Sequence, residues 1–370
     1  MASTSRDNPA VSRFALTTVD PLDPDAADLA ALALLDAAVS DGGRVTFTVE
    51  HLLPPREYLR TLKQDSIGVL ARDGAGRAVG SAWIRCGEFR WAGRPARFAL
   101  LGSLQVHPDA RRRGVARALT DWRLQRAGDA VALATIQAGN VASLANARRW
   151  GTVIGEPLLV TPVPVRRRPP VTRHPWTVRE ATDRDLDAVI VGLDRRYNDF
   201  AMAPADLRGW LGRPFNSYDF AMAPADMRGW LGRPFNSYYV LVGPDDRPLA
   251  GVGLHHEARH SRTRVSGLPP AMRWAGRLAR VVPADGVMRN VAAVWPWHAD
   301  GAENVGRVLW QQVLHRERTD ATAVVTTLDP RHPARAMLAA PRWLPRTAIS
   351  VVVRVPNGGR VPAGVLELPG

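Results

Sequence analysis

The segment VHPDARRRGVARAL, residues 106–119, carries the most specific information in this chain. An apolar run over 98–106, typical of a buried strand, precedes it, and a helical pattern over 115–128 follows. A helix that begins directly after a glycine exposes unpaired amides and the positive end of its dipole. Gly114 and Ala116 let the backbone approach an anion closely, and three arginines add bidentate donors. The segment therefore predicts a pyrophosphate site at a strand-to-helix junction.

Helices and strands alternate on both sides of this segment, which indicates an α/β (α+β) fold. The apolar spacing and the turn residues predict helices over 27–39, 56–64 and 142–150, a hairpin over 66–85, a strand over 130–137 and a closing strand over 153–163.

This order of elements resembles the GCN5-related N-acetyltransferase (GNAT) superfamily. The acetyl-CoA loop of that family reads Arg/Gln-x-x-Gly-x-Gly/Ala, and Arg111, Gly114 and Ala116 occupy its three defining positions. A second motif, Asn-Val-Ala-Ser at 140–143, begins the helix where the family places an asparagine beside the pantetheine arm. The resemblance extends over residues 12–165.

The resemblance implies that the first half uses acetyl-CoA, without a metal, to acetylate an amine on a small molecule or at the N-terminus of a peptide or protein. It implies cofactor contacts from eleven residues: Leu104, Val106, Arg111, Arg112, Arg113, Gly114, Val115, Ala116, Arg117, Asn140 and Ser143. Asn140 is equally suited to capping a helix, and the two roles can coexist.

The same resemblance implies direct attack of the amine on the thioester, with a backbone amide near Val106 polarising the carbonyl. The position where the family often has a tyrosine as general acid is Ala147. Candidates for the general base are Glu88 at the end of the third strand, Glu50 before the second helix, and His107 beside the loop. Deprotonation through water would need no named base.

The second half repeats this order of helices and strands but lacks the residues of the acetyl-CoA loop. Gly301, Asn304 and Gly306 align with Arg111, Gly114 and Ala116, so the arginine and the loop glycine are lost. We therefore predict two tandem GNAT-like domains, each a mixed sheet flanked by helices, of which the second is degenerate. The predicted limits are a disordered N-terminus at 1–11, an acetyl-CoA-binding domain at 12–165, a linker at 166–175, a degenerate domain at 176–356 and a tail at 357–370.

Three further segments stand out, two in the second half and one at the boundary between the halves. Residues 199–218 are repeated at 219–238 with one difference, Leu207 against Met227. One repetition is too few for a solenoid, which needs three or more stacked units. A recent duplication or an error in the sequence explains the repeated segment better. Residues 269–282 have the pattern of a basic amphipathic helix. The proline- and arginine-rich run 162–176 disfavours continuation of a sheet, because proline lacks the amide donor.

Composition narrows the class of protein. The 370 residues are 46% hydrophobic, which disfavours a disordered chain, and one cysteine, Cys86, excludes a disulfide framework or a cysteine-rich zinc site. The net charge of +14 comes almost entirely from arginine, because Lys63 is the only lysine. No signal-like or membrane-spanning apolar run is present, so we expect a cytoplasmic monomer or homodimer without a membrane partner.

Two other classes of function stay open. One is an inactive protein that binds acyl-CoA as a sensor or scaffold, which the absence of an evident base and acid favours. The other is a basic module associated with nucleic acid, which the charge alone favours and the lack of any zinc-finger or helix-turn-helix signature disfavours.

Overall fold

The computed structural model describes residues 14–39, 41–42, 46–63, 65–91, 94–171, 175–196, 235–267, 274, 282–338 and 340–356. Most of the duplicated segment 199–238, nearly all of the predicted helix 269–282, and the termini 1–11 and 357–370 lie outside these ranges. Within the described ranges, no helix combines the length and apolar character needed to cross a bilayer.

The described part of the first half contains eight strands and four α-helices. The strands are β1 (Ala15–Val19), β2 (Asp41–Gly42), β3 (Thr46–His51), β4 (Ser66–Arg72), β5 (Ala78–Trp91), β6 (Arg94–Val106), β7 (Val131–Gln137) and β8 (Thr152–Pro164). The helices are α1 (Ala26–Ala38), α2 (Pro55–Leu62), α3 (Val115–Ala127) and α4 (Val141–Ala147), with a 3-10 helix at Pro108–Ala110. The alternation predicted from the sequence is confirmed, with small shifts of the element ends.

The described part of the second half repeats this pattern. Its strands are β9 (Thr177–Glu180), β10 (Asn236–Val242), β11 (Pro248–His255), β12 (Ser261–Gly267), β13 (Val287–Met288), β14 (Asn290–His298), β15 (Ala323–Leu328) and β16 (Thr347–Arg354). Its α-helices are α5 (Asp183–Arg196) and α6 (Glu303–Arg316), with 3-10 helices at Glu257–Arg259 and Pro333–Arg335.

One sheet of twelve strands runs through both halves in the order β1-β4-β5-β6-β7-β16-β8-β15-β14-β11-β10-β9. Its described pairs are antiparallel except for two, β6 with β7 and β14 with β15, which are parallel. Each half therefore contributes one central parallel pair, as expected for two copies of one plan. The mixed α/β architecture predicted from the sequence is confirmed.

The closing strands of the two halves are exchanged. β16, near the end of the second half, lies between β7 and β8 of the first half, where Val351 is in register with Thr135 on one side and Ile154 on the other. β8 in turn pairs with β15 of the second half. The predicted limits at 165 and 176 thus separate two stretches of chain whose strands complete each other's sheet.

The expectation that the run 162–176 disfavours a sheet is wrong for its first residues. β8 continues to Pro164, with Pro162 opposite Val325 of β15. β16 begins at Thr347, which lies opposite Val160. The residues of β8 that follow Val160 therefore have a neighbour strand on one side only. Proline is tolerated at such an edge, because its missing amide removes no bond on the free side.

A second, four-stranded sheet also joins the halves, in the order β13-β12-β3-β2. β3 of the first half pairs antiparallel with β12 of the second, and His51 is in register with Ser261. The Leu52 amide extends the connection by donating to the His260 carbonyl oxygen at 2.9 Å. The second half therefore reaches the side of the first half that carries α1 and α2.

Close packing at Gly80 positions α3 against the large sheet. A Cβ atom at Gly80 would lie 2.7 Å from Cγ1 of Val115 and 2.8 Å from the carbonyl oxygen of Gln105. We expect Gly80→Ala to lower the free energy of unfolding by about 2 kcal/mol, because a backbone oxygen cannot move aside cheaply. Gly74→Ala, which would meet no atom within 4 Å, is the control and should stay within about 0.5 kcal/mol. Equal effects of the two substitutions in urea unfolding would contradict this packing.

Candidate functional site

The two central strands of the first half diverge. β6 and β7 are in register only from Phe98 opposite Val131 to Leu100 opposite Leu133. Beyond these pairs β6 continues to Val106, whereas β7 pairs onward with β16. A gap therefore opens between β6 and β7 towards their carboxyl ends.

A β-bulge lies in β6 beside this gap. The register of β6 with β5 shifts between Ser81 and Trp83, and Ser103 has a φ of 47°. A bulge bends its strand and turns a side chain to a new direction. The second half repeats the feature, because the pairing of β11 with β14 shifts and Trp295 also has a φ of 47°.

The loop that follows β6 is anchored at both ends. The amide of His107 donates to the carbonyl oxygen of Val79 at 2.9 Å. The Asp109 amide donates to Nδ1 of His107 at 3.3 Å and so stabilises the 3-10 helix. At the other end, Val115 and Leu119 are buried against β4 and β5. The loop is thus held rigidly while its middle remains on the surface.

The middle of the loop offers an open anion site. Gly114 is the N-cap of α3 with a φ of 93° and no side-chain cap, and residues 111–114 are all exposed. The Ala118 amide donates to the Gly114 carbonyl oxygen. The amides of the first turn come before this bond, so they have no acceptor within the helix and face outward. A Cβ atom at Gly114 would meet nothing within 4 Å. The start of α3 therefore combines exposed amides, the positive end of a helix dipole and neighbouring arginines, and pyrophosphate binding at this start stays a prediction.

The second predicted motif serves as a helix cap. Oδ1 of Asn140 accepts from the Ser143 amide at 3.1 Å at the start of α4. Three residues further, Nδ2 of Asn146 donates to Oγ1 of Thr120 at 2.9 Å and joins α4 to α3. The capping interpretation of Asn140 is confirmed, and its contact with the cofactor arm stays a prediction.

The structure does not bring the three predicted bases together. Glu88 is opposite Arg97, and Arg97 lies six residues before Ser103 along β6, a distance of roughly 20 Å at about 3.3 Å per residue. His107 has its Nδ1 engaged within the loop. Glu50 is exposed on β3 beside His51. Successive strand residues point to opposite faces, so Glu50 points away from the face on which His51 contacts α2.

Four polar residues that sequence reasoning overlooked meet beside the bulge: Asp36 of α1, Lys63 after α2, and Ser103 and Gln105 of β6, here called the mouth cluster. Nζ of Lys63 donates to Oγ of Ser103 at 3.2 Å, and Nε2 of Gln105 donates to Oδ1 of Asp36 at 2.9 Å. Burial lowers the pKa of Lys63 to about 8, against the opposing effect of Asp36. The one available signal in the sequence was that Lys63 is the only lysine.

A neutral imidazole lies next to the mouth cluster. The ring of His51 contacts that of Tyr58 of α2 at a centroid distance of 3.9 Å. Partial desolvation lowers the pKa of His51 below its usual 6.5, although Asp36 acts in the opposite direction. His51 is therefore uncharged at neutral pH and able to accept a proton.

The corresponding helix start in the second half differs in its residues and in its packing. The start of α6 carries Asn304 where the first half has Gly114. At Gly306, a Cβ atom would lie 2.8 Å from Cγ of Met337. Met337 and Leu338 are themselves buried in the second core. Met337 thus packs against Gly306 within the first turn, whereas Glu303 and Asn304 at the start of α6 are exposed. Among the described residues, no group of three or more His, Cys, Asp or Glu could hold a metal ion.

Comparisons with known proteins agree with this geometry. Residues 38–151 match the model of the acetyltransferase (GNAT) family. Among curated protein sequences, none matches the chain at a significant level. A structure of Saccharomyces cerevisiae N-myristoyltransferase with bound myristoyl-CoA has a TM-score of 0.59 at 10% identity, covering 95% of this chain and 80% of that one. Another, also with bound myristoyl-CoA, has a TM-score of 0.58 at 11% identity, covering 99% and 86%.

A GCN5-related N-acetyltransferase from Kribbella flavida has a TM-score of 0.49 at 15% identity, covering 92% of this chain and 71% of that one. The two N-myristoyltransferase structures share the fold of this chain over both of its halves. Residues 38–151 of this chain therefore form an acetyltransferase (GNAT) family domain.

Proposed function

We propose that this chain is an acyl-CoA-dependent N-acyltransferase whose first half binds acetyl-CoA and transfers the acetyl group to an amine. The observation that carries the proposal is the open start of α3, with Gly114 in the left-handed conformation, directly behind the gap between β6 and β7. At the start of α6 in the second half, Gly301 and Asn304 stand in place of Arg111 and Gly114.

In this proposal the pyrophosphate lies on the first-turn amides of α3 and the adjacent arginines. The pantetheine arm passes through the gap, beside Asn140 and Ser143, and reaches the bulge at Ser103. Bound acetyl-CoA supplies an activated acyl carbon. The side chains of Leu104 and Val106 pack against the α3 core, so these two residues serve through their backbone. A backbone amide in this stretch polarises the thioester carbonyl.

The acceptor approaches from the side of α1 and α2. There the Asp36 carboxylate attracts a cationic amine, and His51 accepts the proton that makes the amine nucleophilic. The second half completes this side, because β12 pairs with β3 and holds His51 opposite Ser261. The acceptor site is therefore shared by both halves.

Acetyl is favoured over a long acyl chain by the polarity of the mouth cluster. Lys63, Ser103 and Gln105 surround the place where the acyl group would emerge. A long alkyl chain would have to desolvate these groups without replacing their hydrogen bonds, which is costly. The fold shared with N-myristoyltransferase makes this comparison the relevant one.

The direct test is a screen of amines for release of free coenzyme A thiol. We expect turnover with acetyl-CoA to exceed turnover with myristoyl-CoA by at least about tenfold, a difference of about 1.4 kcal/mol. His51→Gln should lower turnover while leaving coenzyme A affinity unchanged. Binding of acetyl-CoA without thiol release for any amine would instead favour the sensor, and salt-sensitive binding of nucleic acid without thiol release would favour the nucleic-acid module.

A further inference from the structure

The position of Lys63 is unusual for a lysine, because its backbone is fixed by a packed helix and its amine contacts a strand of the sheet. It follows α2 directly, and Leu59 and Leu62 of that helix are buried and so fix its backbone. Its Nζ lies 3.2 Å from Oγ of Ser103, the residue at the bulge of β6. The amine is therefore held against β6 beside the gap, on the side where an acyl group passing between β6 and β7 would emerge.

The surroundings of this amine favour its neutral form. Burial lowers the pKa of Lys63 to about 8, and the buried Arg85 guanidinium adds to the effect while Asp36 opposes it. At pH 7 a lysine with this pKa is neutral in about a tenth of molecules, against about one in 2,500 for an unperturbed lysine. Only the neutral amine has the lone pair needed to attack a carbonyl.

We propose that Lys63 is acylated by the acyl-CoA that the chain itself binds. The neutral Nζ attacks the thioester carbonyl, an N–C bond forms, the C–S bond breaks, and one proton passes from nitrogen to the departing sulfur. The products are an Nζ-acyl lysine and free coenzyme A. The inference rests on the proposed cofactor site, but it requires no external acceptor.

The product is a stable modification and not an intermediate of transfer. An amide does not hand its acyl group to a second amine under mild conditions, in contrast to a thioester or ester. Acylation also removes the positive charge beside Asp36 and places the acyl group on the mouth cluster. Because the chain has one lysine, the modification is limited to one acyl group per chain on lysine.

The test is incubation of the full chain with acetyl-CoA, without an added amine, followed by intact mass spectrometry and peptide mapping. We expect a gain of one acetyl group, mapped to Lys63 and stable to hydroxylamine, with a rate that rises as pH increases through about 8. Lys63→Arg, which keeps the charge, should gain none. Gly114→Glu should react at least about tenfold more slowly, at the rate of chemical acetylation by free acetyl-CoA, because a reaction at the site needs bound cofactor.

Calorimetry with coenzyme A on the same samples separates the two proposals. If coenzyme A binds and an added amine is acetylated, but Lys63 stays unmodified, self-acylation is wrong and the proposed function stands. Equal acetylation of Lys63 in the unaltered chain and in Gly114→Glu would also overturn it, since the reaction would then be independent of the site. If coenzyme A does not bind the unaltered chain at all, the proposed function itself fails.

Discussion

Gly114→Glu is expected to weaken coenzyme A binding by at least about 100-fold. The substitution puts a carboxylate where the pyrophosphate would lie, and it places a side chain on a residue with a φ of 93°. Losing two charge-assisted hydrogen bonds alone costs about 3 kcal/mol or more, which is about 100-fold in affinity. Isothermal titration with coenzyme A measures the effect, and circular dichroism checks that the fold persists.

The second half supplies a matched control for this substitution. Asn304 is exposed at the start of α6, in the position that aligns with Gly114. Asn304→Glu introduces the same carboxylate at the start of an equally regular helix, so it should leave coenzyme A affinity unchanged. The unaltered chain should bind one coenzyme A, because the second helix start has Gly301 and Asn304 in place of Arg111 and Gly114. Two equivalent sites, or equal losses from the two substitutions, would contradict the assignment of the cofactor to the first half.

The second large effect is expected from separating the halves. A chain that ends after Val165 should fail to form a stable domain, although it contains the whole predicted cofactor site. It would lack β16, which lies between β7 and β8 and buries Val351 and Val353 against Ile154 and Leu158. Removing a central strand leaves a gap about 10 Å wide between β7 and β8 and unpairs both. This loss is comparable to the whole stability of a domain, about 5–15 kcal/mol.

Co-expression of residues 1–165 and 166–370 as two chains tests the same point in the opposite direction. Because the closing strands are exchanged, we expect the two fragments to co-purify and to recover coenzyme A binding. The isolated first fragment should show broad, poorly dispersed amide signals in an NMR spectrum and no titratable binding. A folded first fragment that binds coenzyme A with unchanged affinity would show that β16 is dispensable.

The exchange of closing strands also gives the second half, which is predicted to bind no cofactor, a structural role. It contributes β16 to the sheet of the first half and β12 to the small sheet that holds His51. Loss of its own cofactor site therefore does not make it dispensable. We infer that its main contributions are the closing strand and part of the acceptor side.

Local sequence signals were sufficient to predict the helix starts. Gly114 and Ala116 after an apolar strand identify a helix start that can hold phosphate, because exposed amides and small residues act within a single turn. Asp25 likewise marks the start of α1, and its carboxylate accepts from the amides of Ala27 and Asp28. Such features depend on a few adjacent residues, so they are visible without any knowledge of long-range contacts.

The acceptor side depended on contacts between residues far apart in the chain. Glu88 was a reasonable base from its residue type, but the length of the β5–β6 hairpin places it far from the bulge. Lys63 meets Ser103 only because α2 packs across the sheet, and neither residue belongs to a recognisable motif. The strand Thr347–Arg354 is a short, largely apolar run like many other buried strands, so its own sequence does not reveal which neighbours it pairs with.

Sequence pattern alone therefore predicted the alternation of elements, which the structure confirms. It also predicted a phosphate-binding helix start and its loss in the second copy, and both of these stay predictions. Tertiary structure decided that β16 closes the first half, that β8 closes the second, and which polar side chains meet where β6 and β7 part. The physical reason is that a helix cap or a turn is selected by nearby backbone groups. Strand pairing across hundreds of residues is selected by the fit of whole apolar faces, which no single segment encodes.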